Sequence, residues 1–151
     1  MHAPQTSMPL PLFDRFGGPL SDSSAALSPV EALRQSLRLD LTRLFNVRNR
    51  LTIDQFLTGA PTSLDYGLPD TLHLSAQSAT DLQRWQQVIL RAIALYEPRL
   101  RQVSVKVAPS ADWPTLAWVT IAATATLGSE RVQFHFEAGL ANRPAPWTKH
   151  A

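Results

Sequence analysis

The sequence contains no cysteine in 151 residues, so a disulfide framework and any thiolate metal site are excluded. Charge is also sparse. Asp, Glu, Lys and Arg make up 17% of the chain against 44% hydrophobic residues, and the net charge is +2, which lacks the dense basic stripe of a nucleic-acid binder. No run approaches the roughly 20 apolar residues that a membrane helix needs. The start of the chain lacks a basic stretch followed by an apolar one, so no secretory signal is expected and a cytoplasmic location is. Glycine numbers six, and its only adjacent pair is Gly17-Gly18. No Gly-rich phosphate loop and no G-x-S-x-G nucleophile elbow is present. The histidines His2, His73, His135 and His150 do not stand at metal-ligand spacing. Neither a cofactor nor a metal is expected.

What is present suits one soluble domain with a single core. Twelve of the fourteen cations are Arg, and they are scattered along the chain. Arg is favoured at protein interfaces because its planar fork pairs bidentately with carboxylates, so the composition leans toward protein partners.

Residues 1–27 read as an extended arm, with Pro4, Pro9, Pro11 and Pro19 and no sustained periodicity. An apolar island of Leu10, Leu12, Phe13 and Phe16 around Asp14 and Arg15 interrupts it. Such an island either packs back on its own domain or grips a partner. Ser28-Pro29-Val30-Glu31 reads as a helix start, with Ser28 as cap, Pro29 in the first turn and Glu31 closing a capping box. Val30, Leu33, Leu37, Leu41 and Leu44 then form one apolar stripe, which predicts a helix over about 29–45. Residues 46–77 read as a long irregular segment with turns at 58–61 and 67–70, and a loop of that length is often functional. A second helix is predicted from Ser78 or Thr80, with Leu82, Trp85, Val88, Ile89, Ala92, Ile93 and Tyr96 on a broad apolar face, and Pro98 stops it. Three strand patterns follow: Val103, Val105 and Val107 alternating with Ser104 and Lys106; residues 115–127, rich in Thr, Val, Ile and Ala; and Val132, Phe134, Phe136 and Ala138 alternating with polar residues. Gly128-Ser129-Glu130 turns the last two into a hairpin. The expected fold is α+β: two main helices on an antiparallel sheet of three to four strands, with an arm at 1–27, a domain at 28–140 and a tail at 141–151.

The most informative short stretch is Glu97-Pro98-Arg99-Leu100. A carboxylate at a helix C-terminus opposes the macrodipole by about 0.3–1 kcal/mol. Either Glu97 points into solvent, or Arg99 or a partner's Arg offsets that cost. Glycoside hydrolysis would need paired carboxylates, and Glu97 with Asp65 or Asp70 is available for it, but nothing beyond availability supports that reading. Arg43, Arg48 and Arg50 cluster after the first helix without the interleaved aromatics that RNA binding uses. They read as a solvated end or a contact for an acidic protein surface.

Four stretches carry a family resemblance. Ser36 to Arg50, SLRLDLTRLFNVRNR, resembles a first helix followed by a Leu-x-Asn-x-Arg segment. Leu64 to Asp70, LDYGLPD, resembles a Tyr-Gly-Leu-Pro-Asp loop. Ile93 to Val107, IALYEPRLRQVSVKV, is similar to a helix end with a Glu-Pro-Arg-Leu signature and a first long strand, and Leu12-Phe13-Asp14-Arg15-Phe16 to a Leu-Leu-Asp-Arg-Leu element. In that order they resemble the TssE family of type VI secretion baseplate subunits and the related wedge proteins of contractile phage baseplates, densely over residues 28–107. Asp65 stands where that family usually has Asn, and Leu51 to Ser63 is a longer stretch.

The resemblance implies a non-catalytic structural subunit, one per wedge around the spike-and-tube base. Its implied partners are the large wedge subunits of TssF, TssG and TssK type and the first ring of the contractile sheath, in a cytoplasmic baseplate docked at the inner face of the envelope. It also implies Glu97 and Arg99 as a binding pair spaced by Pro98, with Leu12, Phe13, Arg15, Arg48 and Tyr66 as further contacts. An open sheet edge would accept strands from the sheath. Two alternatives stand beside it: a peptidoglycan hydrolase, because phage relatives have carried a lysozyme-like label, and a regulatory anti-adaptor of the same fold.

Overall fold

A computed structural model describes residues 27–141. The arm island with Leu12, Phe13 and Arg15, and the tail beyond residue 141, lie outside the described residues. The elements in order are α1 (Pro29–Asn46), α2 (Ile53–Thr58), a 3-10 turn (Ser63–Asp65), α3 (Ala79–Tyr96), β1 (Leu100–Pro109), β2 (Leu116–Leu127) and β3 (Glu130–Ala141). The three strands form an antiparallel meander in the order β1-β2-β3. The expected α+β architecture is present.

The stripe on α1 buries Leu33, Leu37, Leu41, Leu44 and Phe45, and the broad face of α3 buries Trp85, Val88, Ile89, Ala92 and Ile93. Both pack on one face of the sheet against Val105, Val119, Ile121, Ala123, Val132 and Phe134. Phe45 also stacks on Phe136, with ring centroids 5.8 Å apart. Full burial of one aliphatic side chain contributes about 1.5–3 kcal/mol, so this layer dominates the stability of the fold.

Helix starts follow the sequence signals with one correction. The Ser28 hydroxyl accepts from the Glu31 amide at 3.2 Å. Glu31 does not return the bond to close a capping box; its carboxylate takes the Arg34 guanidinium at 2.6 Å, which lies one helical turn away. Ser78 caps α3 in the same way, accepting from the Asp81 amide.

The segment 46–77 is more ordered than its irregular reading suggests. Thr52 and Gln55 form a reciprocal capping box that starts α2, and Thr62 and Asp65 form another around the 3-10 turn. Ile53 and Phe56 are buried, so α2 is held by core contacts although it is too short to stand alone. Gly67, with φ 114°, lets the Tyr-Gly-Leu-Pro-Asp loop close onto α1. A Cβ there would lie 2.6 Å from the Val47 carbonyl oxygen.

β1 breaks its alternation. Arg101 pairs with Thr124 and Ser104 with Ala122, so three steps on β1 face two on β2, the mark of a β-bulge. Gln102 absorbs it at φ 51°. The bulge lets both Leu100 and Val105 face the core, where they are 6% and 4% exposed. In a regular strand, residues five apart would face opposite sides and one of them would be in water. Burying the second costs about 1–2 kcal/mol of left-handed backbone strain against a gain of about 1.5–3 kcal/mol. At the far end Gly128, with φ 61°, opens the two-residue turn between β2 and β3, the conformation a type II′ hairpin needs.

Candidate partner-binding site

The end of α3 places a carboxylate where the helix dipole is unfavourable, and the fold answers it locally. Glu97 caps α3 and is 5% exposed, so it does not point into solvent. The guanidinium of Arg99 lies flat on it: Nε donates to Oε1 at 2.6 Å and Nη2 to Oε2 at 2.7 Å. Pro98 turns the chain so that two residues separate the partners. Two further donors of Arg99 go to α1, Nη2 to the Asp40 carboxylate and Nη1 to the Ser36 hydroxyl at 3.2 Å. Arg43 closes the row with a 3.1 Å contact to Asp40. The pKa of Arg99 is raised, chiefly by its hydrogen bond to Glu97; burial acts against this and Asp40 adds to it. The guanidinium is thus a permanent cation between two carboxylates, and its side chain remains 38% exposed.

Tyr66 borders this cluster. Its pKa is raised by burial first and then by the negative charges of Asp40 and Glu97, with Arg43 opposing. Its ring meets Tyr96 edge-on at 5.2 Å. Tyr96 in turn reaches the carbonyls of Thr62 and Asp65 at 3.1 and 2.9 Å. The structure therefore brings Tyr66, Glu97, Pro98 and Arg99 together, around Asp40.

Arg48 sits elsewhere. Its guanidinium turns back on the Phe45 carbonyl at the end of α1, where a cation suits the dipole. Burial lowers its pKa and Asp70 raises it. Arg43, in the last turn of α1, and Arg48 are thus committed to local partners, and with Arg50 they do not form one basic patch.

Sequence reasoning missed three groups that hold this region. Asp40 and Ser36 are one. Asn49 is the second: its amide nitrogen donates to the carbonyls of Asp65 and Gly67 at 3.1 and 3.0 Å, while its oxygen accepts from the Leu51 amide in an Asx turn. Arg91 is the third, donating to the carbonyls of Phe56 and Gly59 at 2.7 and 2.8 Å and strapping α2 to α3. The Asn two residues before Leu51, directly after a helix, was a readable turn signal. Arg91 carried none, because its partners are main-chain atoms more than 30 residues away.

A catalytic pair does not assemble. Both oxygens of Glu97 are taken by Arg99, whereas a general acid must present a free protonated carboxyl to substrate. The Asp65 carboxylate caps the 3-10 turn through the Thr62 amide at 2.9 Å. Among the described residues no His, Asp and Glu cluster could hold a metal ion, and no helix is long and apolar enough to cross a membrane.

Residues 31–129, from α1 through β2, match a family model described as baseplate wedge protein gp25. The chain belongs to the gp25 baseplate wedge family. Membership makes it a structural baseplate subunit, as the resemblance implied. A search of curated proteins returned no match. Among solved structures, the gp25-type fold is shared with a chain from the baseplate complex of the type VI secretion system, at TM-score 0.56 and 16% identity over 74% of this chain and 95% of that one. A tail lysozyme-like protein from Geobacter sulfurreducens is similar at TM-score 0.50 and 17% identity, covering 81% of this chain and all of that one.

Proposed function

We propose that this gp25-family chain is a non-catalytic wedge subunit of a type VI secretion baseplate, of the TssE type, working in the cytoplasm at the inner face of the envelope. The observation that carries the reading is the family match over residues 31–129, a span that includes the Glu97–Arg99 pair. The likeness of fold to a type VI baseplate chain supports the choice of machine. In this reading residues 28–140 form the wedge domain, and the arm 1–27 and tail 141–151 extend it.

The docking face is the cluster of Asp40, Tyr66, Glu97, Pro98 and Arg99. Arg99 is half-exposed and already oriented by two carboxylates. A partner acceptor would meet a fork whose rotamer is fixed, so little side-chain entropy remains to be lost on binding. Leu12, Phe13 and Arg15 of the arm add contacts to the large subunits of TssF, TssG and TssK type, and the main chain at Arg48 bridges Leu68 in the loop that carries Tyr66. The sheath would be received on the sheet. Among the described residues β3 pairs with β2 alone, which leaves its outer edge open over most of twelve residues, and Arg34 covers it at the Gln133 carbonyl.

The test is co-purification with the large wedge subunits. Arg99→Met paired with Glu97→Leu removes both charges without stranding either. Folded protein by circular dichroism with loss of the complex is the expected result. Retention of the complex would reduce the motif to a helix stop, and a parent chain that forms no complex would favour a free adaptor.

A further inference from the structure

The helices cover one face of the sheet. On the other face, beside the β2–β3 turn, Arg101, Gln102, Thr124, Thr126 and Arg131 line an open cavity of about 380 Å³. This site opens on the strands, whereas the Glu97–Arg99 cluster packs against α1. We propose that it docks an acidic, extended segment of a protein partner, with one carboxylate on Arg101 and a second on Arg131.

Both guanidinium groups are exposed and make no hydrogen bond or ion pair among the described residues. The arginines at 34, 84, 91 and 99, by contrast, all spend donors inside the chain. Among the described residues no acidic side chain lines the cavity. Glu130 is adjacent to Arg131 in sequence, but it shares the strand face of the buried Val132, on the far side of the sheet. The other charges on the outer face lie farther along it: Lys106, and His135 with Glu137, which contact each other at 3.3 Å. The site is therefore a local excess of positive charge that nothing in the described fold neutralises.

Its construction also points outward. Without the bulge Arg101 would face the core side. The register shift between Arg101 and Ser104 turns it onto the outer face, and Gln102 holds that turn at φ 51°, rare for a residue with a side chain. The Thr124 hydroxyl contacts both the Arg101 carbonyl and the Gln102 side chain, at 3.2 and 3.3 Å, and fixes the cavity floor.

The spacing selects the ligand. Arg101 lies beside Thr124 on one flank of β2, and Arg131 beside Thr126 on the other. Two strand spacings across and two residues along put their Cα atoms roughly 12 Å apart. Each planar fork then takes one carboxylate bidentately, and an extended chain laid over β2 supplies two. A nucleic acid would want stacking aromatics here, and none lines the cavity.

The experiment is a titration of the full chain, followed by amide and arginine side-chain NMR, with hexaglutamate, hexaglutamine, inorganic phosphate and a short single-stranded DNA as probes. Hexaglutamate should shift residues 101, 102, 124, 126 and 131 and should weaken with salt. Arg101→Gln with Arg131→Gln should reduce its affinity about tenfold or more, and Lys106→Gln should not. If the double variant loses its circular dichroism, Arg131→Gln alone gives the same reading. The proposal fails if hexaglutamate shifts nothing at these residues, if the arginine variants bind it unchanged, or if phosphate or DNA binds there more tightly.

Discussion

At the residue scale the sequence exposed an anomaly and left its resolution hidden. A Glu on the last turn of α3, with Pro and Arg after it, could be read as a charge needing an answer. That Arg99 supplies the answer was one of the open readings, and the two-residue span across Pro98 made it reachable. Asp40 was not legible, because it lies 59 residues away and is one of twelve acids that look alike in sequence. The arrangement sets an asymmetry between substitutions. Arg99→Ala strands Glu97 at 5% exposure beside a helix terminus of the same sign. Breaking a buried pair on one side costs about 3–5 kcal/mol; Arg99 is 38% exposed and water reaches it, so about 2–3 kcal/mol is expected. Glu97→Leu with Arg99→Met should fall within about 1.5 kcal/mol of the parent, because no unpaired charge remains. Urea midpoints of the three proteins measure this, and equal losses for single and double variants would refute the pair account. Gly67→Ala is a second residue-scale case. Its Cβ would meet backbone 2.6 Å away at a φ of 114°, so a loss of about 2 kcal/mol or more is expected in the same assay.

At the element scale, the elements with long periodic patterns were readable and the others were not. α1 and α3 each run 18 residues, long enough for an apolar stripe to repeat; β2 and β3 alternate over 12, and β1 alternates from Val103 to Val107. α2 has six residues, too few for a period to register, and its start signal Thr52–Gln55 sits inside a stretch dominated by turn residues. The bulge escaped for a related reason. Val103, Val105 and Val107 alternate cleanly, and only the out-of-phase Leu100 betrays the extra residue. What holds the segment 47–68 is side chain to backbone bonding over long sequence separations, to which periodicity is blind. Asn49→Ala removes two such bonds, to Asp65 and Gly67, together with the local Asx-turn bond from the Leu51 amide. It should cost about 2–3 kcal/mol, at roughly 1 kcal/mol per net hydrogen bond. Its hydrogen-exchange signature should be local: faster exchange at Leu51 and Leu68, with the α3 core unchanged. Uniform loss of protection across α3 and β2 would mean that the segment and the core unfold as one unit. Thr52→Ala, which removes the α2 cap, should cost about 1 kcal/mol and act on 53–59 in the same local way.

At the scale of the whole molecule, the docking cluster and the core are joined through the chain's two tyrosines, and this sets how the protein responds to alkali. Tyr66 and Tyr96 both have pKa values raised above the ordinary value, each chiefly by burial; Asp40 and Glu97 add to the first and Asp65 to the second. A tyrosine whose folded pKa is raised keeps its proton after the unfolded chain has lost it. Above an ordinary pKa of about 10 the folded state then binds more protons than the unfolded one, so stability is full below that pH and falls as pH rises through the folded values. Arg99 does not open the cluster first, because its own pKa is raised by Glu97 and it stays charged over this range. Stability measured by urea should therefore hold from neutrality to about pH 10 and decline beyond it. With only two tyrosines to follow, ultraviolet difference titration should show tyrosinate appearing above the free-tyrosine range and together with the loss of tertiary signal. Tyr66→Phe should flatten the alkaline decline with little change at neutral pH. Tyr96→Phe should also flatten it, but at a neutral-pH cost of about 1 kcal/mol, because that hydroxyl bonds the carbonyls of Thr62 and Asp65. Normal tyrosine titration in the folded protein, with stability unchanged past pH 10, would show that neither ring is confined between the 59–70 loop and α3 in solution.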